Sequence, residues 1–421
     1  MTSSGPAPLP RAGHRRAQFA HPTAIALKQH ASDTALPDAI DALLQAARAG
    51  LAAADHRAGL EQAQEARESC AANDPRRAEA MALEGQHLWR LGRFEDAVVA
   101  AREAVQGWQD AGDAAGHADA LCLLAVSCTE LGLHEEGLRC ASSAFDIAVA
   151  HGLERQTTLA LNRIGVCHER LGDPEQGERF LLQALSRARE QHSFDDTVQA
   201  LNNLMANTLG ACHLHTRLGD GEVAHQALQR ARHYGSQAVA MARRDGDTYR
   251  RIVAQGNLAE VQAMAGDFEP AEALLQEAIA EARAQGWRAV ELRSRHNLGE
   301  MRLRQGRAGD AAQVLHGVLD DLRRGADHET TRMRVHSALH RAHKALGHFE
   351  PALAHCEAYH AIEMQRAALQ AQAQARIMVN RIEMDQALQM ADRALMDADR
   401  ERIKASELEA LKETPVRPRF P

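Results

Sequence analysis

The stretch LGRFEDA at residues 91–97 decides the fold, because the chain repeats it. It returns as LGLHEEG at 131–137, LGDPEQG at 171–177, LGDGEVA at 218–224, AGDFEPA at 265–271, QGRAGDA at 305–311 and LGHFEPA at 346–352. The shared glycines, Gly92, Gly132, Gly172, Gly219, Gly266, Gly306 and Gly347, are separated by 40, 40, 47, 47, 40 and 41 residues. Glycine at such a point closes one helix and opens a tight turn, since a left-handed backbone costs it no Cβ clash. Five residues on stands Ala97, Gly137, Gly177, Ala224, Ala271, Ala311 or Ala352. Twelve residues on stands Ala104, Ala144, Ala184, Ala231 or Ala278, with Val318 and Tyr359 in the last two copies. Seven residues before, Gly85, Ala125, Gly165, Ala259 and Gly299 match, while Cys212 and His340 depart. Small side chains at fixed spacings let helix backbones approach closely, and Leu181, Leu275 and Leu315 fill what volume is left.

Composition agrees. Of 421 residues 45% are hydrophobic and only 3% aromatic, so the apolar mass is mostly Ala and Leu, the strongest helix formers. Strands would need more β-branched and aromatic residues than the chain holds. Length alone would suggest about three domains, but a repeat array grows by stacking and overrides that expectation. The net charge of −8 argues against bulk affinity for nucleic acid. Seven cysteines, with no two-residue spacing among them, read as reduced thiols used as small apolar residues. No apolar run is long enough to span a membrane, and the basic N-terminus lacks the apolar centre of a secretory signal. The expected location is the cytoplasm.

The turn glycine followed by small residues five and twelve positions on resembles the tetratricopeptide repeat, over about residues 76–366. The period of 40 exceeds the family's usual length of about 34, as in the long-helix repeat regions of bacterial signalling proteins. The resemblance implies an all-α, right-handed superhelix of helix hairpins. Residues 38–75 read as an additional hairpin capping the N-terminal end, giving about eight hairpins over 37–366. Residues 1–36, rich in Pro, Ser, Gly and Arg, read as a disordered arm, and 413–421 as an irregular tail. The two 47-residue gaps each add seven residues, two helical turns, one before Gly219 and one after it. Either both arms of the fifth hairpin lengthen, which whole turns favour, or a longer loop surrounds HLHTRLGDGEVA. Residues 359–412 lack helix breakers and read as one long helix. Within it Met384, Leu388, Ala391, Leu395 and Ala398 alternate steps of four and three, as a coiled-coil seam does, which would let two copies pair.

Catalytic signatures are missing: there is no phosphate loop, dinucleotide fingerprint, nucleophile elbow or kinase motif set. A non-enzymatic chain without cofactor is the expectation. Among 23 histidines, His336, His340 and His343 lie at helical spacing and would share a face. No nearby carboxylate or thiolate completes a ligand set, so they read as a polar helix face and no metal is expected. The stronger signal is charge. Residues 288–305 carry Arg288, Arg293, Arg295, Arg302 and Arg304 against Glu291 and Glu300, and residues 328–345 carry Arg332, Arg334, Arg341 and Lys344 against Glu329. Residues 114–131 carry no Lys or Arg at all, so basic character rises toward the C-terminal end of the stack.

In the tetratricopeptide family the first helix of each hairpin lines a concave groove that takes peptides. The positions matching that groove are Asn162 and Arg163 in the fourth hairpin, and Asn257 and Glu260 in the sixth. The seventh supplies Arg293, His296, Asn297, Glu300 and Arg304, and the eighth Arg334, Arg341 and Lys344. Arg and Asn there suit the carboxylates and backbone amides of an extended acidic segment. The expected function is a scaffold or adaptor binding protein or peptide. The alternative is a peptide- or ligand-sensing regulator, which a compact closed groove would favour over an open one. A repeat array ending in HFEPALAHCEAYHAIEMQ and continuing as a helix also resembles the sensor regions of bacterial diguanylate cyclases. Their Gly-Gly-Asp/Glu-Glu-Phe motif is nowhere in this sequence, so no cyclase activity is carried over.

Overall fold

The computed structural model describes residues 22–413, apart from residues 54, 72–73, 247 and 325–328; side chains before residue 38 and after residue 404 lie outside the description. The described residues form sixteen helices and no strand. Eight hairpins follow one another: α1 (Pro22–Ala53) with α2 (His56–Ser69), α3 (Arg76–Arg90) with α4 (Phe94–Ala111), α5 (Ala114–Glu130) with α6 (His134–Ala150), and α7 (Glu154–Arg170) with α8 (Pro174–Glu190). Then come α9 (Phe194–Leu218) with α10 (Gly221–Asp245), α11 (Thr248–Ala265) with α12 (Phe268–Ala284), α13 (Arg288–Arg304) with α14 (Ala308–Arg324), and α15 (Glu329–Ala345) with α16 (Phe349–Glu413). The fold is a tetratricopeptide-like superhelical solenoid, all-α as the repeat predicted.

The hairpin turn works as the glycine spacing implies. Gly172 sits at φ 85° and the Asp173 N–H reaches back to the His168 carbonyl at 2.9 Å, capping an orphan carbonyl of α7. The equivalent bond recurs at 2.9 Å from Arg93 to Leu88, Leu133 to Cys128, Asp220 to His215, Asp267 to Gln262, Arg307 to Arg302 and His348 to His343. The same turn also joins one hairpin to the next, which the seven-glycine reading passed over. Gly112, Gly152, Gly246 and Gly286 hold that place, and His192 holds it between α8 and α9 with φ 53°.

The small residues lie where helices meet. Ala97, Ala104, Ala125, Ala144, Ala184, Ala231, Ala259, Ala271, Ala278 and Ala311 are fully buried, as are Leu181, Leu275 and Leu315 to within 1%. Contact is close between α7 and α8. A Cβ added to Gly165 would lie 2.6 Å from Leu181 Cγ and 2.9 Å from the Gly177 carbonyl oxygen. The core is a chain of local clusters, each shared by adjacent helices, which is how a solenoid distributes its stability.

Both arms of the fifth hairpin are lengthened. Helices α9 and α10 have 25 residues each, against 17 in α7, α8 and α12. Near the hairpin's turn Ala211, Cys212, Ala224 and Ala227 are buried against Leu228 and against Met264 of the next hairpin's α11. Helix α16 is continuous for 65 residues, so the last hairpin's second arm and the expected exit helix are one element. The side chains of Met384, Leu388, Ala391 and Leu395 lie outside the described residues, while Ala398 is exposed. One boundary is corrected. Helix α1 begins at Pro22, inside the stretch expected as an arm, because Ala, Leu, Lys and Gln dominate residues 24–32 and Pro is tolerated in a first turn. Residues 1–21 lie outside the described residues, as do 414–421 of the expected tail.

Two substitutions test this packing by chemical denaturation. His192→Gly relieves a left-handed conformation and should stabilise the chain by about 0.5–1 kcal/mol, after glycine's extra unfolded-state entropy is subtracted. Gly165→Ala should destabilise it by about 1–3 kcal/mol, because neither the Gly177 backbone nor the buried Leu181 can retreat cheaply.

Candidate binding groove

The first helices of adjacent hairpins also approach one another directly, α1 with α3, α3 with α5, and so on through α13 with α15, whereas the second helices of adjacent hairpins stand farther apart and meet through long side chains such as Arg230 with Glu178. The odd-numbered helices therefore form the inner, more tightly curved layer, and side chains on their free faces line the groove. Packed helices lie about 10 Å apart, so α3 and α11 would stand about 40 Å apart in a straight stack. Here Arg90 of α3 is close enough to Arg163 of α7, and to Arg250 of α11, to depress the basicity of both. The stack thus curves sharply enough to bring those three helices' arginines into one field. Gln370 of α16 also reaches the α5–α6 turn, where a Cβ on Gly132 would run into its amide.

In the fourth hairpin, Asn162 is buried and accepts a hydrogen bond from Asn203 Nδ2 at 2.6 Å, tying α7 to α9. It serves packing more than display. Its neighbour Arg163 is half-buried, and its Nε has no hydrogen-bond partner. Loss of hydration pulls its basicity down, and repulsion from Arg90 adds to the effect.

The sixth to eighth hairpins bring a second group together. Arg293 is depressed first by loss of hydration and then by Arg334, with Tyr249 and Glu260 opposing. His296, also buried, is depressed by loss of hydration and by Arg334, against Glu300, Asn297 and Glu260. Five of the expected groove residues, Glu260, Arg293, His296, Asn297 and Arg334, thus share one surface across α11, α13 and α15. Asn297 donates to the Gly256 carbonyl at 3.2 Å, and Asn257 beside it is half-buried. Arg341 is committed elsewhere: it grips Glu300 with two bonds, one of 3.0 Å. Arg304, Arg334 and Lys344 are exposed. Among the described residues, no carboxylate forms an ion pair with Arg163, Arg293, Arg304 or Arg334.

Counting charges along the sequence overstated the available cations. Arg288 binds Asp321 at 2.8 Å and Glu291 at 2.9 Å, Arg295 binds Asp321 at 2.5 Å, and Arg302 pairs with Glu272. Glu291 shares α13 with Arg288, but Glu272 sits on α12 and Asp321 on α14, invisible when one helix is read alone. Arg90 and Tyr249 were missed; Arg90 recurs as Arg170 two residues before a turn glycine, which is too weak a signal to assign a role. Three buried thiols are held in the unreactive protonated form: burial pushes Cys122 and Cys140 up to about 12 and Cys128 higher still.

The three histidines of α15 all turn toward α16, but to different partners. His340 Nδ1 lies 2.9 Å from the Ala352 carbonyl oxygen, the buried His336 lies against His355 of α16, and His343 lies between His316 of α14 and His355. Beside the long α10 run two shallow clefts of about 420 and 480 Å³, one floored by Val239, Leu258 and Leu274, the other by Phe194, Leu201 and Met241. Neither gathers a nucleophile and a base. No helix among the described residues is long and apolar enough to cross a membrane.

Comparison with known proteins fits this geometry. The tetratricopeptide repeat profile matches residues 159–191, which are α7 and α8. Among solved structures, a Rap protein complexed with competence and sporulation factor superposes with TM-score 0.57 at 16% identity, covering 74% of this chain and 80% of that one. The apo form of the quorum sensor NprR from B. thuringiensis gives TM-score 0.54 at 15% identity, covering 76% and 86%. At that identity the likeness shows the fold. No curated protein sequence matches the chain.

One titration at the N-terminal end of the stack is testable. Burial, then repulsion from Arg90 and His87, lowers His56 from 6.5 to about 4. The folded value lies below the unfolded one, so the unfolded chain binds the extra proton in between. The stability this site contributes is complete above about pH 6.5 and is lost as pH falls toward 4. Melting temperature followed across that window should fall less steeply in His56→Gln than in the wild type, and parallel curves would contradict the assignment.

Proposed function

We propose that this protein is a non-catalytic binder of an acidic, extended protein segment, held along the inner face by Arg163, Arg293, Arg304 and Arg334. Asn257 and Lys344 border that path, and Asn162, Glu260, His296, Asn297 and Arg341 hold its wall. The supporting observation is that, among the described residues, these four arginines have no carboxylate partner, while Arg288, Arg295, Arg302 and Arg341 on the same helices are paired. Two of the four are partly stripped of water as well. A guanidinium left in that state gains most from an incoming carboxylate, because its desolvation has already been met by folding.

Between a static adaptor and a sensing regulator, the approach of Arg90 to Arg250 and of Gln370 to the Gly132 turn favours the regulator. A wrapped groove must open or tighten when a segment enters. A Rap protein complexed with competence and sporulation factor, and a quorum sensor, share the fold, which is consistent with that reading. Helix α16, placed like the exit helix of the signalling arrays resembled in sequence, passes the change on. Its exposed Met378, Ile382, Met390 and Met396 suit it to meet a partner or a second copy.

Selection of displayed random peptides on the wild-type chain should enrich acidic sequences. Charge reversal at Arg293, Arg304 and Arg334 should weaken the best of them by about 10-fold or more while leaving the melting temperature within a few degrees. Binding should also weaken with added salt. Enrichment of neutral or basic peptides, or unchanged affinity in the triple variant, would remove the acidic-groove reading.

A further inference from the structure

We propose that His316, His343 and His355 form a binding site for a divalent transition ion of the borderline class, with Zn2+ as the ordinary occupant. The three come from three helices, α14, α15 and α16, and one ring nitrogen of each lies within 4.8 Å of the other two. His316 Nε2 and His343 Nε2 are already 3.0 Å apart. Zinc–nitrogen bonds of about 2.0–2.1 Å at a tetrahedral angle would set such nitrogens about 3.3 Å apart. One pair therefore stands near its bound spacing, and the third ring needs a side-chain rotation of about 1.5 Å to join it.

The surroundings favour the neutral imidazole that a metal requires. A close contact between two ring nitrogens needs one to donate and the other to accept, so neither the His316–His343 pair nor the His336–His355 pair tolerates full protonation. The rings also stack on one another, His343 with His355 at 5.5 Å and 14° between planes. His343 Nδ1 is buried without a hydrogen-bond partner, an uncommon condition for a polar atom and one that a changed ring orientation on binding would relieve.

His336 has a distinct part. Its Nδ1 lies 3.0 Å from His355 Nδ1, which leaves Nε2 of His355 to coordinate. That is the arrangement in which a second ring fixes the tautomer and direction of a ligating one. Arg323 repels charge at His355, but Asp320 pairs with it at 3.4 Å and offsets part of that field. No carboxylate or thiolate joins the three histidines within the described residues, so the fourth position is left for water. An ion there would fasten the root of α16 to the last two hairpins, the point at which the exit helix leaves the stack.

The test is titration of the full chain, under reducing conditions, with Zn2+ by calorimetry and with Co2+ by absorption. The expected result is one saturable ion per chain, tetrahedral Co2+ bands without a thiolate charge-transfer band, and a raised melting temperature with Zn2+. His343→Ala and His355→Ala should abolish saturation, and His336→Ala should weaken it by about tenfold. The exposed His225→Gln should bind as the wild type does. Should His343→Ala fail to fold, His316→Gln at the half-exposed edge serves instead. Absence of saturable binding, binding that survives loss of the triad, or a thiolate band would each overturn the proposal.

Discussion

The structure rests on how closely two helices can approach when the residues between them are small. At Gly165 and Gly177 the backbones of α7 and α8 come so near that a single added Cβ would strike a carbonyl oxygen. That proximity is repeated, with alanine in place of glycine, through the fully buried Ala97, Ala144, Ala184 and Ala271. Close approach on the inner side of each hairpin sets the angle to the next, and a small angle repeated over the seven junctions of eight hairpins produces a curved wall. Bulk at these points would splay the hairpins and flatten the curve before it disturbed any one helix.

Curvature then governs the electrostatics. Arg90, Arg163 and Arg250 are far apart in sequence, and the stack's bend places them in one field. On the convex and lateral faces, arginine is consumed by ion pairs between neighbouring helices, as with Arg243 and Glu277 or Arg230 and Glu178. On the inner face Arg163, Arg293 and Arg334 crowd other cations with no carboxylate partner among the described residues, while Arg250 is paired with Asp195. Self-repulsion of that kind is a cost to folding that an acidic partner would remove, which links the geometry to a binding role.

The histidine group follows from another consequence of stacking. Helices α14, α15 and α16 turn their facing sides toward a common seam, and the imidazoles of His316, His336, His343 and His355 fall into it within stacking distance, with His348 at its edge. Two of these, His316 and His355, belong to different second helices whose register in sequence offers no hint of contact.

The glycine phrase and its small-residue spacings determined the all-α class, the succession of hairpins and the residues at helix crossings, and favoured a lengthened fifth pair over a longer loop, because each is set by backbone conformation or side-chain size within one repeat. The groove was legible only as a set of helix positions. Which arginines there are paired, that Asn162 is a packing residue, and that His343 meets His316 instead of His340 were decided by tertiary structure. Those outcomes depend on distances between separate helices, and distances of that kind exist only once the stack has curved.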